Sequence, residues 1–337
     1  MSITIKDIAR LAGVSHTTVS RALNDSSLIS ETRKQEIIKL ARENNYVPNM
    51  MARGLTSKRS YTVGIILNFL GNIFTRQIME GVENIAETNN YVMIFGDSRE
   101  DAKRELKYIK TFAERGVDGL IIYPVTTTSS ARNVSVLKKM EIPYLMINHQ
   151  PHGTKSDIVS CDHYQAGYTA TSHLLSLNHN HIAIIGGSGI SENSEIVQGY
   201  IAALNSNNIA FSPDYLKVFD GNYSDNDLTA KVTVELLSKN PEITALVSYT
   251  DEIIPGIAGG LEKMDKKVPE DISVVGHGNM KSITAPYFDL TSVKYNTNLV
   301  GEEAMKLLIS KMESKTTVNQ QITIPVEIYK GTSSRKI

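Results

Sequence analysis

Between Ser15 and Asn24 the chain reads S-H-T-T-V-S-R-A-L-N, where seven of ten side chains can hydrogen-bond and none is a carboxylate. Hydroxyls, an imidazole, an amide and a guanidinium are the groups that meet phosphate oxygens and base edges. An Arg can also give two parallel bonds to one guanine. The expected chemistry is recognition of a polyanion, with no bond made or broken.

Such a row has to be presented by a helix held at a fixed angle to another. Ile5, Ile8, Ala9 and Ala12 recur at i, i+3, i+4 and i+7, the apolar face of a short helix. Gly13 permits a sharp turn, Ser15 is expected as an N-cap, and a second helix follows from His16 to Leu23. Ala9, Gly13 and Val19 are the small, flexible and β-branched types that let two helices touch in a helix-turn-helix. A third helix is predicted from a cap at Ser30, with Ile37, Ile38, Leu40 and Ala41 turned inward, ending at Asn44–Tyr46 before Val47-Pro48.

Charge agrees with this reading. Residues 1–60 hold 10 Lys+Arg and 5 Asp+Glu, whereas the whole chain holds 35 and 36. The head is therefore +5 and the remainder −6, the asymmetry of a nucleic-acid binder with a separate body. At 337 residues, 41% hydrophobic and 21% charged, the chain suits a small head and a globular body of one or two domains. The lone Cys161 rules out an internal disulfide, suits a reducing cytoplasm, and is expected as a small buried apolar residue. No charged-then-apolar leader opens the chain and no apolar run approaches about 18 residues. A cytoplasmic protein with no membrane partner is the expectation.

Residues 49–57 (N-M-M-A-R-G-L-T-S) have helical spacing but too little apolar surface for a core. They are expected to order only against DNA and a second copy, with Leu55 as an apolar wedge for the minor groove and Arg53 as a nearby cation. The alternative is a flexible linker. From Thr62 the pattern changes. Thr62–Asn68, Val92–Phe95, Gly119–Tyr123 and Tyr144–Ile147 read as buried parallel strands, separated by helices at Phe74–Glu87, Asp101–Arg115 and Ala131–Met140. A second series has strands at Ile182–Ile185, Leu216–Phe219, Ala245–Val247 and Ile272–Val275. Its helices are Tyr164–Leu177, Ser194–Asn207, Asp225–Lys239 and Glu252–Met264. Two such series predict two doubly wound lobes facing a cleft, with crossovers at Thr291–Lys294 plus Leu299–Met312 and at Ile322–Val326. The expected domains are 1–48, a hinge and linker at 49–60, a first lobe of 61–160 plus 294–321, and a second of 161–293 plus 322–337.

These residues resemble the lactose-repressor (LacI/GalR) family of bacterial transcription regulators along essentially the full length. The matching stretches are I-K-D-I-A-R-L-A-G-V-S-H-T-T-V-S-R-A-L-N (Ile5–Asn24), N-Y-V-P-N (Asn45–Asn49) and A-R-G-L (Ala52–Leu55) in the head. In the body they are D-x-x-x-x-G (Asp162–Gly167), H-L-L (His173–Leu175), Q-G-Y-x-A-A-L (Gln198–Leu204) and V-P-E-D-I-S-V-V-G (Val268–Gly276). The resemblance implies a small all-α helix-turn-helix head on an α/β body, with two doubly wound parallel-sheet lobes of periplasmic-binding-protein type joined by crossover strands. It implies a homodimer on double-stranded operator DNA. His16, Thr17 and Arg21 would read bases, while Ser15, Thr18, Ser20, Asn24, Tyr46 and Asn49 would contact phosphate or sugar. Ala52, Arg53 and Leu55 would lie at the minor groove, with Leu55 intercalating.

The body departs from the family pattern at two positions. Many sugar-responsive members have an Arg where this chain has Ser194 and an Asp where it has Gly278. The usual pair of groups that clamp vicinal hydroxyls is missing. The candidate effector-binding residues are then Asn72, Phe74, Tyr123, Asn148, Tyr223, Thr250, Asp251, His277 and Tyr295, whose tyrosines could stack on a sugar face or a ring.

Other constellations are weaker. Gly186–Gly189 follows a strand but lacks the spacing of a phosphate-binding loop and reads as a cleft loop. His149, His152, His163, His173, His179 and His181 include no i, i+4 helical pair with a third ligand, so no metal site is expected. No nucleophile-elbow glycines or paired-carboxylate set stands out. Neither an enzyme nor a cofactor is expected. The function expected is a repressor of a metabolic, carbohydrate-type operon, switched by a sugar or sugar-derivative effector in the cleft. The alternatives are a phosphocarrier-protein corepressor and, in another class, a solute-binding protein or enzyme with an accessory head. No leucine heptad follows Val326, so a dimer is expected and not a tetramer.

Overall fold

Thr4 and Asp7 start the first helix by capping each other. The Thr4 amide donates to Asp7 Oδ2 at 3.0 Å, and the Asp7 amide donates to Thr4 Oγ1 at 3.4 Å. In the computed structural model, which describes residues 3–23, 26–46, 59–71, 73–125, 129–151, 153–187, 190–220, 225–313 and 318–337, this helix is α1 (Ile5–Leu11). It stops where Gly13 takes φ 62°, a left-handed turn that glycine enters without a Cβ clash. Ser15 Oγ then accepts the Thr18 amide at 3.1 Å and opens α2 (His16–Leu23). A third helix, α3 (Glu31–Glu43), closes the head. Ile8, Ala9, Val19, Ala22, Ile37 and Ala41 form its core. Ile38 and Leu40, expected inside, are only half-buried, because the inward stripe runs Lys34, Ile37, Ala41. Arg33 Nη2 donates to the Ala12 carbonyl at 2.8 Å and fixes α3 against the end of α1.

The body, residues 62–337, is a separate unit built on two six-stranded sheets. The first contains β1 (Thr62–Leu67), β2 (Val92–Asp97), β3 (Gly119–Ile122), β4 (Tyr144–Ile147), β5 (Ile158–Cys161) and β11 (Gln321–Ile324), in the order β11-β5-β4-β3-β1-β2. All its pairings are parallel. The second contains β6 (Ile182–Gly187), β7 (Leu216–Phe219), β8 (Ala245–Tyr249), β9 (Ser273–His277), β10 (Thr291–Lys294) and β12 (Glu327–Tyr329), in the order β12-β10-β9-β8-β6-β7. Only β12 runs antiparallel, against β10. Their buried runs, such as Val63, Ile65, Ile66 and Leu67, are those of strands covered on both faces.

The sheets correct two expectations. Strands β5 and β12 were not anticipated. Residues 321–324, expected to cross into the second lobe from Ile322, instead pair with β5 in the first sheet. The chain therefore crosses after Ile324, so the first sheet keeps residues 322–324 and Cys161, expected in the second lobe, while Lys294, expected in the first, lies on β10 in the second sheet.

Helix α4 (Ile73–Thr88) packs against the helix Thr297–Glu313 behind the first sheet. Gly81 and Gly301 permit this approach. A Cβ at Gly81 would overlap the Asn298 carbonyl, and one at Gly301 the Ile78 carbonyl. That packing sets where Phe74, at the start of α4, meets the cleft. The second lobe has its own cores, one around Tyr200 and Val247, the other around Ile257 and Val274.

Candidate functional site

On the head, Ser15, His16, Thr17 and Arg21 are exposed along one side of α2, and Thr18 and Ser20 are half-buried beside them. Ser15 and Thr18 join their hydroxyls at 2.9 Å, which orients both at the helix start. No acidic residue lies in the first turn of α2, so its amide ends and dipole face outward unopposed. Tyr46 is half-buried against the head core. Of the expected DNA-binding residues, Asn24, Asn49, Ala52, Arg53 and Leu55 lie outside the described residues, as does the whole 49–57 segment.

In the body the carboxyl ends of six strands converge on one cluster of rings. Tyr123 follows β3, Asn148 and His149 follow β4, and Cys161 and His163 bracket the end of β5. From the other sheet come Tyr249, His277 and Tyr295, at the ends of β8, β9 and β10. Phe74 links the two sets, with ring centroids 6.4 Å from Tyr123 and 5.8 Å from Tyr295. His277 lies 5.6 Å from Tyr295, 5.1 Å from Tyr249 and 5.9 Å from His163. His149 closes the other end, 5.5 Å from Tyr123. Asn148 Nδ2 donates to the Tyr123 hydroxyl at 3.0 Å.

The cluster is uncharged. Burial lowers His163 to about 4 and His277 to about 3, and pushes the Cys161 thiol up to about 12. Burial also holds the Tyr295 phenol well above its ordinary range. At neutral pH the wall is made of neutral imidazoles, phenols and an amide. Such a surface can stack on a ring or a sugar face and exchange hydrogen bonds with hydroxyls, but it offers no charge to a phosphate.

The two positions that depart from the family pattern have local roles. The Ser194 hydroxyl donates to the Ser191 carbonyl at 2.7 Å. Gly278 takes φ 120°, a conformation strained for any side chain. Asp251 lies nearby, fully enclosed, its carboxylate accepting the Met280 amide at 2.8 Å and the Ser292 hydroxyl at 3.1 Å. A Cβ on Gly276 would overlap Asp251 Oδ1. The Thr250 hydroxyl accepts the Glu252 amide at 3.3 Å, and the Asp251 carboxylate also takes the backbone amide of His277, which ties it to the ring cluster. A separate cavity of about 230 Å³ lies between Phe69, Ile73, Asn226, Glu252, Pro255 and Ile283.

The structure thus brings together Phe74, Tyr123, Asn148, His277 and Tyr295, with the enclosed Asp251 bonded to the backbone of His277 and Met280 and with Thr250 half-buried after Tyr249. Asn72 and Tyr223 lie outside the described residues. Cys161, His163, His149 and Tyr249 are members that sequence reasoning did not place in the cleft. Their one common signal is position within two residues of a strand's carboxyl end.

Residues 4–49 match the family described as bacterial regulatory proteins, lacI family, and residues 63–316 match the periplasmic binding protein domain. The HTH-type transcriptional repressor PurR of Vibrio campbellii is 29% identical over 340 residues, with 99% of each chain covered. The solved complex of the transcriptional regulator CelR with cellobiose is 25% identical, with a TM-score of 0.69, over 98% of this chain and 99% of that one. The Lac repressor dimer bound to operator and the anti-inducer ONPF shares the fold with a TM-score of 0.86 at 22% identity, over 99% of this chain and 100% of that one. Among the described residues no helix is long and apolar enough to cross a membrane.

Proposed function

The chain belongs to the LacI family of bacterial transcription regulators, and from that premise we propose that it is a homodimeric repressor released from or held on its operator by a small neutral effector in the inter-lobe cleft. Two features of one chain carry the reading: an exposed, carboxylate-free α2 and an uncharged cluster of rings at the strand ends of the body. His16, Thr17 and Arg21 are proposed to read bases. Ser15, Thr18, Ser20, Asn24, Tyr46 and Asn49 contact the backbone, and Ala52, Arg53 and Leu55 serve the minor groove.

The ring cluster contains no Lys or Arg, which favours an uncharged effector over a phosphorylated one. A carbohydrate or carbohydrate derivative suits its stacking faces, and the cellobiose bound to the similar CelR supports that class. The effector works by binding one arrangement of the lobes more tightly than another, since only differential affinity moves a two-state equilibrium.

A salt titration on duplex DNA tests the first half. The association constant should fall steeply with salt, because each phosphate contact releases counterions, and a slope near zero would refute DNA binding. Calorimetry against a panel of neutral sugars and sugar phosphates tests the second. Heat from a neutral sugar is expected. No binding across the panel, with tight binding to a phosphocarrier protein, would replace the effector by a protein corepressor.

A further inference from the structure

Cys161 ends β5 in the first sheet, His163 opens the helix that follows it and His277 ends β9 in the second sheet, and the sulfur and one ring nitrogen from each histidine all lie within 4.8 Å of one another. Cys161 Sγ is 3.4 Å from His163 Nδ1. His277 is the member that demands an explanation. It is 4% exposed, and neither of its ring nitrogens meets a hydrogen-bonding partner among the described residues. A buried imidazole always has a proton to give or a lone pair to fill, and leaving both idle is costly. Two ring nitrogens at this depth make His277 a candidate ligand.

His163 is prepared differently. Its ring hydrogen-bonds the Asn148 carbonyl, and both ring nitrogens lie near Cys161 Sγ, Nδ1 at 3.4 Å and Nε2 at 3.7 Å. A carbonyl behind an imidazole is how ligating histidines are held in place. No carboxylate belongs to the cluster, and the enclosed carboxylate of Asp251 is already tied to Met280 and Ser292. One sulfur and two nitrogens without oxygen select borderline or soft transition ions over magnesium and calcium.

We propose that Cys161, His163 and His277 form a three-ligand site for a zinc-class ion, with the fourth position open to water or to a donor atom of a cleft ligand. Metal–sulfur and metal–nitrogen bonds of about 2.3 and 2.0–2.1 Å put tetrahedral ligand atoms about 3.4–3.6 Å apart. Cys161 and His163 already meet that separation, and a small inward shift of His277 completes it. On binding, the thiol releases one proton and its sulfur lone pair forms the bond to the ion, with no change of oxidation state. The ion would tie the end of β5 to the end of β9 and so draw the two sheets together. The proposal goes beyond the repressor reading and assumes nothing about operator or effector. A water or an organic effector alone could satisfy His277 but would not engage the thiol, and that difference decides the test.

Full-length protein is stripped with a chelator, then titrated with Zn²⁺ against a chromophoric competitor and separately with Co²⁺. One zinc per chain is expected, with no response to Mg²⁺. Cobalt should give a thiolate-to-metal charge-transfer band, assignable to Cys161 because the chain has a single cysteine. Cys161→Ser and His277→Gln should each weaken zinc by about 100-fold or more, beyond the usual loss of an outer partner, with circular dichroism unchanged. A wild-type protein without the cobalt band overturns the proposal whether or not the variants fold. So does zinc affinity of wild-type strength in both folded variants.

Discussion

Asp251 Oδ2 accepts the backbone amide of Met280 at 2.8 Å, so a carboxylate just past β8 holds the loop that follows β9. The same carboxylate takes the Ser292 hydroxyl from β10. Three neighbouring strand ends are thereby set relative to one another, and His277 with them.

Asp251→Asn keeps the volume but places an NH₂ where a donor arrives. At least one buried donor then loses its acceptor, and the body should lose about 1–3 kcal/mol. Ser292→Ala removes a donor to Asp251 and the acceptor of the Asn279 amide, and should lose about 1–3 kcal/mol. Chemical denaturation of both variants checks this, and equal midpoints for Asp251→Asn and the parent would refute the role.

Glu105 is enclosed and accepts the Val125 amide at 2.9 Å, Ser130 Oγ at 2.8 Å and Asn133 Nδ2 at 2.7 Å. Burial raises its pKa above the ordinary glutamate range despite these donors. The folded pKa exceeds the unfolded one of about 4.3, so the group's contribution is greatest below that pH and declines as pH rises through the folded value. Glu105→Gln should abolish that part of the pH dependence. It should also lower stability by about 1–3 kcal/mol, because an NH₂ must face one of three donors. Denaturation curves from pH 4 upward for the pair check both, and parallel profiles would contradict the assignment.

The capping box of Thr4 and Asp7 should be worth about 1 kcal/mol to α1. Thr4→Ala is expected to speed amide exchange across residues 5–11 while leaving the body's exchange unchanged. Unaltered exchange in α1 would show that the head core alone holds the helix.

Arg21→Ala should lower specific operator affinity by about 1–3 kcal/mol and leave the salt slope nearly unchanged, as for a base contact. A slope reduced by about 0.9 would place Arg21 on a phosphate instead.

Tyr123→Phe removes the hydroxyl that receives Asn148 Nδ2 and spares the ring that faces Phe74. Effector affinity should fall by about tenfold through misoriented Asn148, with at most about 1 kcal/mol lost in stability. Unchanged affinity would remove Tyr123 and Asn148 from the effector contacts.

The head was almost wholly legible. Ile8, Ala9 and Val19 meet where their spacing predicted, and Ser15 caps α2 as its residue type suggested. The long apolar strands and their helices were legible for the same reason. Strand β5 was not, because its four residues I-V-S-C carry little periodicity and their burial comes from β4 and β11 on either side. The crossover expected at Ile322–Val326 is present, but it starts only after Ile324 because 321–324 pair with β5 first.

By itself the sequence determined what depends on near neighbours: a helix-turn-helix from i, i+3 and i+4 contacts and caps, a basic head, and two alternating strand and helix series. The cleft was decided only in three dimensions. Asp251 is enclosed, and Cys161, His163 and His277 are brought together. A search for histidines at helical spacing passes over that trio, because its members share no helix. Cys161 and His277 end strands of two different sheets and His163 opens the helix after the first of them, and only the crossovers between the sheets bring the three within reach.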